Sequence, residues 1–326
     1  MSLIGVSGLD ISIIVPIFNE EESLGELCNW INDVMKENNF TYEIILLDDG
    51  SSDSSWDRIR QISQENTAVQ GIKLRRNYGK TAVLQTGFEA AQGDVVITMD
   101  ADLQDSPDEI PYLYKMIKEQ GYDLVSGWKK KRYDPIIKTI SSKIFNLATR
   151  KMSNIPLHDF NCGLKAYRSN VVKSIDLYGE MHRYVPVIAK WAGFTNIGEK
   201  VVKHKQRKYG NSKYGALRFV YGFLDLLSIT FATRFSKRPM HFFGTLGIIL
   251  FIIGFFISLW LGVEKLYYIS VNIKAPLVTS KAFFYIALVD MILGAQLFLT
   301  GFLGELMTRS FYKKEQCLIE DEINCK

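Results

Sequence analysis

The sequence predicts a mostly parallel α/β domain, followed by an interfacial amphipathic helix and a transmembrane hairpin of two helices. Three observations carry this. Short apolar, β-branched runs alternate with helix-length amphipathic segments over the first two thirds of the chain. Polar, carboxylate-rich segments follow the ends of several of those runs, where open α/β sheets collect ligands. Two stretches beyond residue 240 are each long and apolar enough for a bilayer core. At 326 residues, the chain is also too long for one average domain.

In chain order, the predicted strands are ISIIVP from Ile11, YEIILL from Tyr42, VQGIKL from Val69, DVVITM from Asp94 and YDLV from Tyr122. Helical segments are expected over Glu20 to Glu37, Asp53 to Glu65, Thr81 to Ala91 and Pro107 to Glu119. The last has a reciprocal cap signature: Ser106 at the cap, Pro107 at the first helical position and Glu109 three residues after the cap. Asp100 to Asp105 is therefore expected to be a loop. GLKAYR, further on, reads as another strand. Leu217, Val220, Leu224, Leu227 and Phe231 recur at alternating three and four residues, with Arg218 and Asp225 on another side, which reads as an interfacial helix. A partner-binding helix is the competing account. Arg234, Lys237 and Arg238 follow at headgroup level.

Phe242 to Val263 is an uncharged run of about 22 residues, or roughly 33 Å as a helix. Ala282 to Leu303 carries only Asp290 as a formal charge, with Gln296 nearby, and fits a span if those side chains face protein. Lys265, Lys274 and Lys281 in and around the connection leave positive-inside counting undecided. The expected organisation is residues 1–213 as the α/β domain, 214–240 juxtamembrane, 241–310 the hairpin and 311–326 a tail.

Net charge is only +4, but Lys and Arg concentrate at 129–132, 203–213 and 234–238, which suggests anionic partners. Cys28, Cys162, Cys317 and Cys325 show neither metal-site spacing nor a disulfide framework and read as reduced, structural thiols. His158, His182, His204 and His241 show no ligand spacing and are treated as structural. MSLIGVSGLD has no basic region and no apolar core of a signal peptide, so the first domain is expected to stay on the side where it was made.

The first strand is followed by Pro16, Phe18, Asn19 and Glu20 without a glycine fingerprint, which argues against a dinucleotide-binding dehydrogenase. The second is followed by DDGSSD, with Asp48, Asp49 and Asp53, and the fourth by DADLQD. Asp100 and Asp102, two residues apart at a strand end, suit a hard divalent cation such as Mg²⁺ or Mn²⁺, with Gln104 as a further oxygen donor. Such a cation would stabilise the charge on a departing nucleoside diphosphate. An exposed turn would carry the same pattern, and the three segments together are what favour the site.

These segments resemble glycosyltransferase family 2, and within it the polyprenyl-phosphate glycosyltransferases of the bactoprenol glucosyltransferase and dolichol-phosphate mannose synthase kind. The resemblance runs through IIVPIFNEEES, LLDDGSSDSSW, RRNYGKTAVLQTGFEAAQGD, MDADLQDSP, SGWKKKR, HDFNCGLKAYR, LYGEMHRYVP and KYGNSKYG, in order from Ile11 to the hairpin. It implies a GT-A (Rossmann-like) catalytic domain. It also implies that Pro16, Phe18, Glu20 and Asp49 line the nucleotide pocket with Asp48 in support. Asp100 and Ala101 would meet the nucleotide sugar, and Asp102, Gln104 and Asp100 the metal. The family often has tyrosine where this chain has Phe18, so a hydroxyl contact is lost while ring packing remains. Lys129 stands where arginine is frequent, replacing a bidentate fork by a point charge.

Asp159 in HDFNCGLKAYR reads either as an Asx turn before the strand or as the residue nearest the reacting centre. In the second case it need not be a base. A phosphate monoester has a second pKa near 6, so the acceptor is already a dianionic nucleophile at neutral pH. Lys129, Arg132, Arg207, Ser212 and Lys213 would then grip the lipid phosphate and the donor diphosphate, although a solvated charged face is the plainer reading of each cluster. The expectation is inverting transfer of a hexose, with UDP-glucose the foremost donor, to undecaprenyl or another polyprenyl phosphate. The expected partners are the nucleotide sugar, the lipid phosphate, the bilayer and further copies of the chain, with no nucleic acid. The expected location is a bacterial inner membrane, with the catalytic domain and both termini cytosolic. A processive polysaccharide synthase would want a Q-x-x-R-W segment, which is missing; a degenerate, non-enzymatic membrane scaffold is the other rival, and intact Asp100, Asp102 and Asp159 argue against it.

Overall fold

The computed structural model describes residues 8–130, 136–177, 179, 181–205, 208–209, 239–274, 276–310 and 319–325. The chain divides into two compact units, residues 1–226 with 315–326, and residues 227–314.

The first unit is built on an eight-stranded sheet. Its elements are β1 (Ile11–Ile17), α1 (Leu24–Glu37), β2 (Tyr42–Asp48), α2 (Ser55–Glu65), β3 (Val69–Leu74), α3 (Lys80–Ala90), β4 (Val95–Thr98), α4 (Ile110–Lys118) and β5 (Leu124–Trp128). There follow α5 (Ile136–Ser153), β6 (Lys165–Arg168), α6 (Ser169–Ser174), α7 (Val185–Trp191), β7 (Ile197–Val201) and, after the second unit, β8 (Ile319–Ile323). The strand order is β7-β5-β6-β4-β1-β2-β3-β8. β4, β1, β2 and β3 run parallel, whereas β6 is antiparallel to both β4 and β5.

The central strands are buried on both faces, which is why they read as continuous apolar runs. Ile13 and Val15 pack in one core with Leu24, Leu27 and Ile31 of α1. Ile14 joins Ile45 and Leu47 against Val83, Leu84 and Phe88 of α3 in the other. β1 lies between β4 and β2, and connections run outward from it to both sides, so the carboxyl ends of β1 and β4 flank a switch-point crevice.

One local expectation is corrected. A 3-10 turn, Pro107–Glu109, precedes α4, and no reciprocal cap forms. The Ser106 hydroxyl bonds the Asp108 carboxylate at 2.9 Å, and Glu109 pairs with Lys200 of β7 and accepts from the Lys203 amide at 3.3 Å. A largely buried ion pair to another element has taken the carboxylate that the local cap would have used.

The second unit consists of α8 (Pro239–Ser270) and α9 (Ala282–Ser310), two helices long and apolar enough to cross a membrane. Trp260, Leu266 and Phe283 are among many large apolar side chains exposed on them. The two helices meet through glycines: a Cβ on Gly294 would stand 2.6 Å from the Gly247 carbonyl oxygen, and one on Gly254 would stand 2.6 Å from that of Ala287. Small residues let the backbones approach closely where lipid supplies no hydrophobic drive. Gly254→Leu should therefore splay the pair. In a Phe243→Cys/Gly301→Cys background, whose β-carbons would lie about 3.0 Å apart, oxidative cross-linking should fall by at least about half. The interfacial helix predicted on Leu217, Val220, Leu224, Leu227 and Phe231 lies outside the described residues.

Candidate active site

The segments after β1, β2 and β4 come together at the crevice and lock one another by side chain to backbone bonds. Asn19, in the left-handed region at φ 54°, donates its amide to Ser51 Oγ at 2.9 Å and accepts from the Ser52 amide at 2.8 Å. The Glu20 amide donates to Ser55 Oγ at 3.0 Å. Phe18 is exposed at the rim. Asp48 is fully buried and accepts from the Ser51 amide at 3.0 Å.

Asp49 acts through its neighbours. Its carboxylate accepts from the amides of Tyr78 and Gly79 at 2.7 and 3.0 Å, fixing the turn that opens α3. Gly79 holds φ 88°, a conformation that only glycine adopts without strain. Lys80 follows at the helix start and pairs with Asp100. Burial, only partly offset by those two amides, raises Asp49 to about 6.

In DADLQD, Leu103 is buried yet sits at φ 59°, a strained turn between Asp102 and Gln104. The Lys205 amide donates to the Gln104 carbonyl oxygen at 2.9 Å, and Asp105 and His204 form an isolated antiparallel backbone bridge, so the start of the basic segment after β7 is seated on this loop. A Cβ on Gly163 would collide with the Asp100 carboxylate, and Thr98 Oγ1 donates to the Gly163 carbonyl at 2.9 Å; the loop before β6 thus closes over Asp100.

The three carboxylates differ. Burial opposes the charge on Asp100, but Lys80, Lys129 and Lys165 overcome it and hold Asp100 well below the carboxylate range. Asp105 is fully buried, with Lys129 Nζ at 2.7 Å. Burial, then Asp100 and Asp105, push Asp102 up to about 6. An acid crowded by like charge is the environment that a hard cation relieves, so the residues present fit Mg²⁺ or Mn²⁺. Among the described residues, no three His, Cys, Asp or Glu side chains form a ready-made metal cage. Oxygens from a ligand would have to complete the coordination.

Ala101 is buried in the loop. Lys129, expected to face phosphate, is engaged by Asp105 because burying an ammonium demands a nearby counter-charge. Arg132, Arg207, Ser212 and Lys213 lie outside the described residues. Asp159 is buried and its carboxylate accepts from the Asn161 amide at 3.1 Å, the Asx turn weighed for it.

Two features escaped the sequence reading. Glu199 of β7 accepts from the His158 and Asp159 amides at 2.7 and 3.0 Å and bonds His158 Nδ1 at 2.7 Å. His158 in turn stacks on Trp128. For the sugar transfer expected from the sequence, Glu199→Ala should lower kcat about 10- to 100-fold while changing the donor KM less than about threefold, because it releases the Asp159 turn and leaves the loops after β1 and β2 intact. Steady-state kinetics of the variant tests this. The second feature is a cationic pocket beside Asp100, lined by Lys80, Lys165, His182 and Arg183.

A mixed sheet with a parallel centre, polar loops at its switch point and a carboxylate pair after β4 has the arrangement of a GT-A fold. A family model described as Glycosyl transferase family 2 matches residues 12–176, and the chain belongs to that family. It is 36% identical to dodecaprenyl-phosphate galacturonate synthase of Rhizobium johnstonii, over 95% of this chain and 91% of that protein. It is 34% identical to undecaprenyl-phosphate 4-deoxy-4-formamido-L-arabinose transferase of Pseudomonas aeruginosa, over 92% and 86%. Glucosyl-3-phosphoglycerate synthase of Mycobacterium tuberculosis, solved with Mn²⁺, UDP-glucose and phosphoglyceric acid, shares the fold at a TM-score of 0.54 and 20% identity, over 69% of this chain and 80% of that one. Mannosyl-3-phosphoglycerate synthase of Rubrobacter xylanophilus does so at 0.55 and 16%, over 70% and 75%.

Proposed function

We propose that this protein is a metal-dependent, membrane-embedded glycosyltransferase that moves one hexose from a nucleoside diphosphate to a polyprenyl phosphate such as undecaprenyl phosphate, with inversion. The observation that carries the reading is the crowded Asp102 at the switch-point crevice, in a chain whose relatives are named for sugar transfer to prenyl phosphates. UDP-glucose is the foremost candidate donor, and the two relatives are named for other sugars. A phosphate oxygen of the acceptor attacks C1 as the bond from C1 to the diphosphate oxygen breaks, its electron pair leaving with the diphosphate. The dianionic acceptor has no proton to lose, so Asp159 orients the sugar and faces the developing positive charge rather than serving as a base. Asp102, with Asp100 and Gln104, would hold the cation, which when bound neutralises charge on the leaving diphosphate. Pro16, Phe18, Glu20, Asp48, Asp49 and Ala101 form the nucleotide side. Lys129, Arg132, Arg207, Ser212 and Lys213 are assigned to the phosphates, Lys129 from its seat on Asp105.

Helices α8 and α9 are the membrane spans of this reading, and two spans return the chain to its starting side. The pairing of β8 with β3 supports a return to the starting side. The catalytic domain and both termini are assigned to the cytosolic side of a bacterial inner membrane, and the chain to a homo-oligomer. The test incubates membranes containing the protein with radiolabelled UDP-sugars, undecaprenyl phosphate and Mg²⁺. Label should enter the lipid phase and be lost with a chelator; no label from any nucleotide sugar, with folded protein, would overturn the reading.

A further inference from the structure

Resting on that reading, we propose that the His158 imidazole is a binding site for the phosphate monoester of the acceptor, held in place by Glu199. The ring is fixed on two sides. Nδ1 bonds Glu199 Oε2 at 2.7 Å, and the ring stacks on Trp128 with 4.1 Å between centroids and 12° between planes. Glu199 is largely buried, and its other oxygen takes the amides of His158 and Asp159, so one carboxylate sets both backbone and ring. The His158 side chain nevertheless stays half exposed. A carboxylate on Nδ1 keeps a proton there, and the two ring nitrogens diverge, so Nε2 points away from Glu199. Among the described residues, Nε2 has no hydrogen-bond partner.

The topology puts this ring on the acceptor's side. β5 runs in the same direction as β4, because each is antiparallel to β6, so Trp128 at the end of β5 lies at the same edge of the sheet as the loop after β4. Lys129, the next residue, touches that loop through Asp105 at 2.7 Å. In the strand order, β1 and β2 lie to one side of β4, and β6, β5 and β7 to the other. The loops after β1 and β2 form the nucleotide side, and inversion requires attack from the face of the sugar opposite the diphosphate. That is the side of Trp128, His158 and Asp159. Lys130, with Nζ 5.7 Å from the Trp128 centroid, brings a further positive charge there. A phosphate monoester has a second pKa near 6 and arrives as a monoanion or a dianion. The monoanion passes its proton to Nε2; the dianion meets a ring already protonated. Either way a dianion faces an imidazolium whose other N–H stays on Glu199, with a phosphate oxygen left to attack C1. The diester product carries a single negative charge and is held less tightly, which favours its release.

The test uses the full-length protein and three measurements: transfer to undecaprenyl phosphate with Mg²⁺ and the nucleotide sugar that labels lipid, calorimetric binding of UDP with Mn²⁺, and ³¹P NMR titration of farnesyl phosphate. His158→Phe keeps a ring for Trp128 and leaves both backbone amides to Glu199. It should lower kcat/KM for the acceptor about 10- to 100-fold, the range of one charge-assisted hydrogen bond, while UDP affinity changes less than about threefold. Farnesyl phosphate should bind the wild type with the chemical shift of the dianion at pH 6, and bind His158→Phe at least about tenfold more weakly. His158→Gln, polar but uncharged, should fall between the two. Unchanged acceptor kinetics and farnesyl phosphate affinity in His158→Phe would overturn the proposal and leave the imidazole as a spacer on Trp128. A loss confined to UDP would overturn it by assigning the ring to the donor diphosphate, and equal losses of both ligands in both variants would do so by giving the ring a structural role. Farnesyl phosphate binding that depends on His158, without transfer from any nucleotide sugar, would uphold the site and overturn the transferase reading.

Discussion

Replacing Asp102 by asparagine should lower transfer by about 10³-fold or more and, in the same protein, raise the stability of the metal-free form at neutral pH. Both effects follow from one carboxylate. In the folded, metal-free chain burial and then the charges of Asp100 and Asp105 push Asp102 up to about 6, from the ordinary carboxylate value of about 4. Below about pH 4 the acid is protonated folded or unfolded and costs nothing. Between about pH 4 and 6 the folded form keeps a proton that the unfolded chain has lost, so stability falls as pH rises. Above about pH 6 the penalty is constant, at about 3 kcal/mol for a shift of about two pKa units. Asparagine keeps the acceptor for the Gln104 amide, 3.2 Å from Oδ1 in the native chain, and removes the charge. Thermal unfolding in chelator from pH 4.5 to 7.5 should show a declining wild-type curve and a flatter one for Asp102→Asn, with the variant more stable at the upper end. Adding Mg²⁺ or Mn²⁺ should stabilise only the wild type, since a ligand that binds the native state alone shifts the equilibrium by mass action. Equal curves and an equal cation response in the two proteins would remove Asp102 from the metal site.

The parts of this fold legible in the sequence are those where one physical signal dominates. β1 to β5 declare themselves because strands buried on both faces must be apolar throughout, and DADLQD declares itself as a loop because Pro107 and the run of acids interrupt that pattern. β7 was not legible: IGEKV sits at the sheet edge, half exposed, with Glu199 and Lys200 committed to partners far along the chain. Tertiary pairing also overrode the Ser106 and Glu109 cap. At the site, the motif carboxylates could be found because their spacing is itself a chemical statement. Glu199 could not, since a lone Glu in a charged segment has no pattern. Lys165 did leave a signal. A lysine inside GLKAYR, a run otherwise fit for a buried strand, demands nearby negative charge, and Asp159 and Asp100 lie near it.

The strongest structural prediction concerns β8, which the sequence presents as an acidic tail. Ile319 to Ile323 adds antiparallel to the free edge of β3, pairing Lys73 with Asp321 and Gly71 with Ile323. Trp56 Nε1 donates to Asp321 at 3.3 Å, Arg60 reaches the same carboxylate at 3.1 Å, and Lys73 meets Glu320 at 3.2 Å. Asn324 Nδ2 donates to the Ser63 and Val69 carbonyl oxygens at 2.9 and 3.1 Å. The ion pairs are exposed and contribute little; the backbone ladder and the covered edge contribute more, about 1 kcal/mol per net hydrogen bond. Replacing residues 319–323 by a Gly-Ser stretch should therefore destabilise the catalytic domain by roughly 2–4 kcal/mol. It should also promote aggregation through the opened β3 edge, whereas Asp321→Ala has a much smaller effect. Thermal unfolding and light scattering of the purified proteins read both. The pairing carries a further constraint, because a strand can join β3 only from the side of the membrane that holds β3. If α8 and α9 both cross the bilayer, a reporter fused after residue 326 should share the compartment of one fused ahead of β1. Opposite compartments with an intact β8 effect are not reconcilable with two spans, and a tail replacement that leaves stability unchanged would detach β8 from the sheet.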